Sequence, residues 1–137
     1  MTKDFDGVIF DLDGTVFLSD ELLPGASEVI ESLRSRDKNI VFLSNKALKR
    51  RKDYAEKLSN LGVQAEEGQI INSSLVTARF LAKNGSTPTA YVVGEPPLIE
   101  ELESHGIKIS SDPAAIDYVV ASFDRDFHYR KLRIAYE

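Results

Sequence analysis

The sequence predicts an α/β fold with a mainly parallel sheet, because runs typical of buried strands alternate with segments of helical apolar spacing. Residues 7–12 and 39–44 are nearly continuous apolar runs rich in β-branched and aromatic side chains, as expected of strands that are covered on both faces. Between them, residues 26–36 have the apolar spacing of a helix. A strand, a helix and a second strand in this order predict parallel strands joined by a right-handed crossover.

The alternation continues along the rest of the chain. Gly62 and Gly85 are suitable C-terminal stops for two helices. The similar runs AYVVGE and DYVVAS predict strands, and the Pro96-Pro97 pair between them predicts the start of a helix. The remaining predicted elements are, in order, a helix over 47–62, a strand over 69–71, a helix over 72–85, a strand over 90–95, a helix over 96–106, a strand over 117–122 and a helix over 127–137.

Composition and charge exclude several classes of function. The 137 residues suffice for one ordinary domain and are short for two. A net charge of −5 argues against a nucleic-acid-binding face, and no apolar run approaches the roughly 20 residues that a membrane helix needs. The chain has no cysteine, and its first residues, MTKDFDG, lack the pattern of a signal peptide. We therefore expect a cytoplasmic protein without nucleic-acid or membrane partners.

One short basic cluster, KALKRRK at 46–52, has two interpretations. It is either a solvated helix face or a rim that attracts anions. The sequence alone leaves both open.

The run VIFDLDGTVFL, residues 8–18, is an apolar stretch interrupted by two aspartates and a glycine. Asp-Gly between apolar runs is a strong signal for a type I′ hairpin turn. A calcium-binding loop would use Asp11 and Asp13, but it requires a glycine and a glutamate where this sequence has Val16 and Leu22, so it is excluded. Phosphoryl transfer is the third interpretation.

Two carboxylates at the tip of a parallel strand suit phosphoryl transfer, because open α/β sheets bind ligands at the carboxyl ends of their strands. One carboxylate can attack phosphorus and form an aspartyl-phosphate, while the other protonates the leaving oxygen and later accepts a proton from water. Since both carboxylates and the substrate are anionic, this chemistry demands a divalent cation. Mg²⁺ fits, because it binds one or two carboxylates together with substrate oxygens and water.

A partner segment is predicted at the end of the next strand, where the sequence reads LSNK at 43–46. A right-handed crossover brings this segment to the same sheet edge as the aspartates. Ser44 offers a hydroxyl, Asn45 an amide and Lys46 a charge to phosphate oxygens. Ser-Asn after a strand is also a common loop and helix-cap pair, but its distance from the aspartates favours function.

The sequence resembles the haloacid dehalogenase superfamily. A strand followed by DLDGT (11–15) and a strand followed by LSN (43–45) are similar to motifs I and II of that superfamily. Further segments resemble its NagD-type, class IIA, p-nitrophenylphosphatase-like branch, and the resemblance covers nearly the whole chain. These segments are LLPGA (22–26), YAEKLSNLGV (54–63), IINSSLVTARFL (70–81), YVVGE (91–95) and FDRDFHYRKL (123–132).

The resemblance implies a Mg²⁺-dependent phosphomonoester hydrolase with a Rossmann-like core and an α/β cap. Asp11 would be the nucleophile and a Mg²⁺ ligand, and Asp13 would be the general acid/base and would contribute its backbone carbonyl to the metal. The implied substrate would be a small phosphorylated metabolite, with p-nitrophenyl phosphate as a generic substitute. The implied phosphate- and substrate-binding positions are Leu12, Gly14, Thr15, Ser44, Asn45 and Lys46.

Two departures from the family pattern matter. Members of this branch often read Thr-Asn-Asn-Ser at motif II, where this chain has Ser44 through Ala47, so Lys46 either adds positive charge for the substrate or faces solvent. Motifs III and IV, a basic residue and the acidic pair that completes the Mg²⁺ site, normally follow the cap. Nothing after Glu95 resembles Gly-Asp-x-x-x-x-Asp.

The resemblance therefore implies that residues 1–88 form the first part of the core and 89–137 the beginning of the cap. We expect the 137-residue chain alone to be inactive and the complete protein to be an enzyme, with a homodimer formed through the cap as a further expectation. A catalytically incomplete protein that binds a phosphate-bearing ligand or a partner is the alternative. A phosphotransferase or mutase would use the same aspartate pair and exclude water as the acceptor.

Overall fold

Residues 5–83 and 87–137 are described by the structure, a computed structural model, and they fall into two units. The first unit is the chain up to Asn45 together with Arg51–Asn72, and the second is Lys46–Arg50 together with Ser73–Glu137. Each unit has its own parallel sheet and its own apolar core. The predicted division of the chain at residue 88 stays a prediction, since the two units are defined by packing within this chain alone.

The first unit contains three parallel strands, an antiparallel hairpin and two helices. In chain order its elements are β1 (Gly7–Asp11), β2 (Phe17–Leu18), β3 (Glu21–Leu22), α1 (Ala26–Arg34), β4 (Asn39–Ser44), α2 (Arg51–Asn60), a 3₁₀ turn (Glu67–Gln69) and β5 (Ile70–Asn72).

The main sheet of the first unit has the order β1-β4-β5, and both pairings are parallel. Asp11 lies opposite Leu43 in one pairing, and Ser44 lies opposite Asn72 in the other. The carboxyl ends of the three strands therefore meet at one edge. The predicted parallel arrangement of the first two long strands is confirmed.

The core of this unit lies between the sheet and its two helices. Phe42 of β4, Ile30 of α1 and Leu58 of α2 are almost completely buried in one cluster. Burial of each such side chain contributes about 1.5–3 kcal/mol relative to leaving it in water. The aromatic rings of Phe10 and Phe42 approach to 6.3 Å between centroids, which joins β1 to the same cluster.

The opposite face of this sheet is open within the first unit. Ile9 of β1 is 67% exposed and Leu43 of β4 is 42% exposed. The expectation that these strands are covered on both faces is wrong for this unit. Both α1 and α2 pack on the same face, because two successive right-handed crossovers that move in one direction across a sheet place their helices on one side.

The second unit has a parallel sheet with helices on both faces. Its elements are α3 (Ser73–Ala82), β6 (Thr89–Val93), α4 (Pro96–Ser104), β7 (Lys108–Ile109), a 3₁₀ turn (Pro113–Ala115), β8 (Tyr118–Ala121) and α5 (Tyr129–Tyr136). The strand order is β7-β6-β8. On one face of β6, Val92 packs in the cluster that includes α3 and α4, and on the other Tyr91 and Val93 pack against Ile134 of α5. Burial on both faces explains the continuous apolar run of β6.

The largest difference from the sequence prediction is the start of α2. A helix was expected from residue 47, but the structure begins it at Arg51. Lys46–Arg50 is not helical, because Ala47 is only 6% exposed and packs in the apolar core of the second unit. The basic cluster is thus mostly a loop, and two of its arginines form ion pairs, Arg50 with Glu100 at 3.6 Å and Arg51 with Glu67 at 3.0 Å.

Other differences are smaller. The helix predicted over 72–85 is α3, and its predicted stop, Gly85, lies outside the described residues. The strands β2, β3 and β7 have two residues each, too few to show a periodic pattern. No helix in the described part of the chain has the length and apolar character needed to cross a membrane.

Candidate active site

Two aspartates flank a buried leucine at the carboxyl tip of β1. Leu12 has no exposed surface, whereas Asp11 is exposed and Asp13 is partly exposed. The Leu12 N–H donates to the Leu43 carbonyl at 3.1 Å, which extends the ladder one residue beyond the strand. Leu12 therefore anchors the strand end in the core and leaves a carboxylate on either side of it.

A tight turn follows the second aspartate. Gly14 has φ of +83°, a backbone conformation that favours glycine, and its N–H donates to the Phe17 carbonyl at 2.7 Å. The Leu12 carbonyl accepts hydrogen bonds from the N–H groups of Thr15, Val16 and Phe17 at 3.0–3.3 Å. Many backbone bonds thus converge on this turn, and they hold the segment after Asp13 close to the strand tip.

The type I′ hairpin interpretation of Asp-Gly is wrong. β1 pairs in parallel with β4, while the antiparallel hairpin is formed by β2 and β3 further along the chain. The glycine turn leads the chain from the end of a sheet strand into this hairpin. Burial explains why β1 pairs with β4 and not with the segment after the glycine. As a strand of the main sheet, β1 contributes side chains to the apolar core.

The structure places Ser44 and Asn45 at the same sheet edge as the aspartates. Asp11 lies opposite Leu43, so Ser44 and Asn45 follow directly on the neighbouring strand. Asn45 is exposed, but Ser44 is only 2% exposed and its hydroxyl donates to the Tyr54 hydroxyl at 3.3 Å. Of the two side chains, the Asn45 amide is the one that solvent reaches in this structure.

The other predicted loop positions are engaged in the turn itself. The N–H groups of Leu12, Gly14 and Thr15 donate to backbone carbonyls, so they define the shape of the loop. The Thr15 hydroxyl approaches Asp11 Oδ2 at 3.5 Å, the upper limit of a hydrogen bond. Lys46 is exposed and belongs to the loop segment of the second unit. The phosphate-binding roles of all these residues stay predictions.

Sequence reasoning missed two buried polar residues near this edge. Tyr54 of α2 holds the Ser44 hydroxyl, and Asn72, 1% exposed, lies opposite Ser44 at the end of β5. The signal for Asn72 was present, since it is a polar residue at the end of a third parallel strand. The sequence carries no such signal for Tyr54, because a tyrosine on the apolar face of a helix is expected to be an ordinary core residue.

The acidic pair is the candidate donor set for a metal ion. In residues 5–83 and 87–137, no group of three or more histidine, cysteine, aspartate or glutamate side chains is arranged to hold one. The Asp11 carboxylate and the Asp13 backbone carbonyl, as the resemblance implies, would offer two hard oxygen ligands at this sheet edge. That set fits Mg²⁺, which takes one or two protein carboxylates and completes its shell with water and substrate oxygens.

Comparisons with known proteins show the family to which the chain belongs. A family model described as haloacid dehalogenase-like hydrolase matches residues 8–108. The sugar-phosphatase AraL of Bacillus subtilis is 39% identical over 131 residues, which cover 96% of this chain and 48% of that protein. The chain thus spans about half the length of the curated relatives that it matches.

Solved structures give the same picture. NagD from Escherichia coli K-12 superposes with a TM-score of 0.88 at 28% identity, over 97% of this chain and 52% of that one. A glycerol phosphate phosphatase from Mycobacterium tuberculosis, crystallised in complex with magnesium, superposes with a TM-score of 0.85 at 25% identity, over 95% and 40% of the two chains. By sequence and by fold, this chain belongs to the haloacid dehalogenase-like hydrolase family, where its relatives are phosphatases of the NagD type.

Proposed function

We propose that the complete gene product carrying this sequence is a Mg²⁺-dependent phosphomonoester hydrolase that works through an aspartyl-phosphate. The observation that carries the proposal is the pair of carboxylates at the exposed tip of β1, beside the end of β4 with its exposed Asn45 amide. The relatives named above as sugar phosphatase and glycerol phosphate phosphatase support a small phosphorylated metabolite as substrate.

In the first half of the reaction, a carboxylate oxygen of Asp11 attacks phosphorus and forms a new O–P bond. The bond between phosphorus and the leaving oxygen breaks, and Asp13 gives that oxygen a proton. In the second half, Asp13 takes a proton from water as the water oxygen attacks the same phosphorus. The Asp11–phosphorus bond breaks, and inorganic phosphate leaves with both carboxyl groups restored to their starting states.

The surrounding residues would bind and orient the substrate. The exposed Asn45 amide can donate to a phosphoryl oxygen directly, whereas the Ser44 hydroxyl would have to redirect its hydrogen from Tyr54. The Asp11 carboxylate and the Asp13 backbone carbonyl are the groups that would hold Mg²⁺, which leaves the Asp13 carboxyl free to transfer protons. The ion would neutralise charge between the carboxylates and the phosphate. The turn through Gly14 keeps the two carboxyl groups on one rigid loop.

The test is the Asp11→Asn variant of the complete gene product, assayed with p-nitrophenyl phosphate and Mg²⁺. Asparagine keeps the shape of the side chain but replaces the nucleophilic carboxylate with an uncharged, weakly nucleophilic amide, so kcat should fall by at least about a thousandfold. Mass spectrometry of the acid-quenched wild-type enzyme should find one phosphoryl group on the peptide that contains Asp11.

Asp37→Asn is the matched control. Asp37 is an exposed turn residue at φ of 56°, which asparagine also tolerates, so this variant should retain wild-type turnover. Undiminished hydrolysis by Asp11→Asn would remove Asp11 as the nucleophile. Saturable binding of phosphate without turnover by the wild-type protein would favour the binding alternative instead.

A further inference from the structure

A lysine of α2 contacts the hairpin that follows the aspartate loop. The Lys57 ammonium donates to the Ser19 carbonyl and to Asp20 Oδ1, the latter at 3.0 Å. It also lies 4.2 Å from the centroid of the Phe17 ring. All three contacts belong to the β2–β3 hairpin, and the Lys57 side chain is only 18% exposed.

The contact with Phe17 is shielded from water, whereas the Asp20 side chain is 95% exposed, so its ion pair with Lys57 contributes less. The Phe17 side chain is 1% exposed, so the cation and the ring meet where little water competes. At the hairpin tip, Ser19 has φ of 52°, a left-handed conformation that a residue with a Cβ rarely adopts. The carbonyl of this strained residue accepts the hydrogen bond from the Lys57 ammonium.

The hairpin is in turn bonded to the aspartate loop. Phe17, which supports the Lys57 ammonium, also accepts the Gly14 N–H at 2.7 Å and donates its own N–H to the Leu12 carbonyl at 3.2 Å. It further forms a bridge with Asp13. A continuous set of contacts therefore runs from α2 through the hairpin to the turn that carries Asp13.

We propose that Lys57 is a positioning residue: it clamps the β2–β3 hairpin to α2, and the hairpin holds the Asp13–Gly14 turn in the conformation that phosphoryl transfer requires. The role in catalysis rests on the function proposed above. The contacts described above join Lys57 to neither Asp11 nor Asp13, so Lys57 would act on the turn through Phe17. Loss of its charge should loosen the turn locally and leave the main sheet intact.

The first test is amide hydrogen exchange on the complete gene product. Lys57→Met keeps the apolar stem and removes the ammonium, so amides of residues 13–20 should exchange about fivefold faster, which corresponds to about 1 kcal/mol of local stability. Lys57→Arg should restore slow exchange. Lys52→Met, an exposed lysine on the same helix, is the matched control and should leave these amides unchanged.

A uniform acceleration that includes the amides of β4 would overturn the proposal, because it would mark a general loss of stability. So would unchanged exchange at residues 13–20. If Lys57→Met does not fold, Asp20→Asn removes the negative charge of one partner at the exposed hairpin tip and should accelerate the same amides to a smaller extent. No change with Asp20→Asn in that case would also count against the clamp.

The second test is kinetic and uses the complete gene product. Lys57→Met should lower kcat by about 10- to 100-fold, since misplacement of a catalytic group by about 1 Å has effects of this size. KM should stay within about twofold, because the proposed clamp does not bind substrate. A rise in KM alone would contradict the positioning role. If the wild-type protein hydrolyses no phosphomonoester, the proposed function fails, and the exchange result alone decides whether Lys57 holds the turn.

Discussion

Leu12 shows how a single buried residue organises the candidate site. Its side chain is fully buried and its N–H continues the β1–β4 ladder, so the aspartates on either side are held by the core. A carboxylate on a mobile loop would lose the entropy advantage of a fixed nucleophile. The two aspartates are chemically alike, and the proposed mechanism separates their roles: Asp11 bonds to phosphorus and Asp13 transfers protons.

This separation predicts a leaving-group effect for Asp13→Asn. Without the acid, hydrolysis of an alkyl phosphate should fall by about 10²–10⁴-fold, because an alkoxide must be protonated as it leaves. p-Nitrophenolate leaves without protonation, so phosphorylation of Asp11 by p-nitrophenyl phosphate should be much less affected.

Rapid-quench measurements check this prediction. With p-nitrophenyl phosphate, Asp13→Asn should accumulate phosphoenzyme, because deprotonation of the attacking water is also lost. Equal losses with both substrates and no accumulated phosphoenzyme would show that Asp13 is not the proton-transfer group.

At the scale of elements, the second unit ties the ends of two paired strands together with an ion pair. Glu95 follows β6 and Arg125 follows β8. The Arg125 backbone N–H and Nε donate to Glu95 Oε1 at 2.8 and 3.0 Å, and its terminal nitrogen donates to Oε2 at 2.7 Å. Hydrogen bonds from Arg125 lower the pKa of the Glu95 carboxyl from 4.5 to about 2.

A lowered carboxyl pKa makes stability depend on pH in a definite direction. The contribution of Glu95 is fully present above its unfolded-state pKa of 4.5 and is lost as the pH falls toward about 2. Glu95→Gln should therefore unfold more easily near neutral pH and show a smaller further loss of stability on acidification. Glu103→Gln, at an exposed position of α4, should follow the wild-type curve.

Urea unfolding of the three proteins across this pH range measures the effect. Parallel curves for Glu95→Gln and the wild-type protein would show that the Glu95–Arg125 pair contributes nothing to acid sensitivity.

On the scale of the whole molecule, each unit depends on its own apolar cluster. Leu58 of α2 is fully buried between the helix and the first sheet. Leu58→Ala should lower the unfolding free energy of the first unit by about 2–5 kcal/mol, through lost burial and the cavity that remains. Leu18→Ala, at a leucine that is 63% exposed, is the control and should change it by less than about 0.5 kcal/mol.

Hydrogen exchange of the β4 amides as a function of denaturant reports this free energy for the first unit. An effect of Leu58→Ala no larger than that of Leu18→Ala would mean that the cluster around Leu58 does not support the first sheet.

Periodic elements were the most predictable from the sequence. The strand predicted over 39–44 is observed as Asn39–Ser44, because its β-branched and aromatic side chains favour a strand and Ile40 and Phe42 alternate into the core. The start of α2 was not predictable, since Ala47 suits a helix locally and only its place in the second core prevents one. At the site, the placement of Asp11 beside the end of β4 followed from parallel pairing. The hydrogen bond from Ser44 to Tyr54 could not be predicted from the pairing of the strands.

The sequence by itself determined the order of the longer strands and the helices, and the sheet edge at which the aspartates and the Ser-Asn pair meet. Local apolar periodicity and the hand of the crossover suffice for those features. Only the tertiary structure shows that α1 and α2 pack on the same face of the sheet. It also shows that the Ser44 hydroxyl bonds to Tyr54 and that Lys57 bonds to Asp20, 37 residues earlier in the chain. Such contacts join residues that are far apart in the sequence. The local sequence around each residue does not indicate its partner, because the contact depends on how the elements pack.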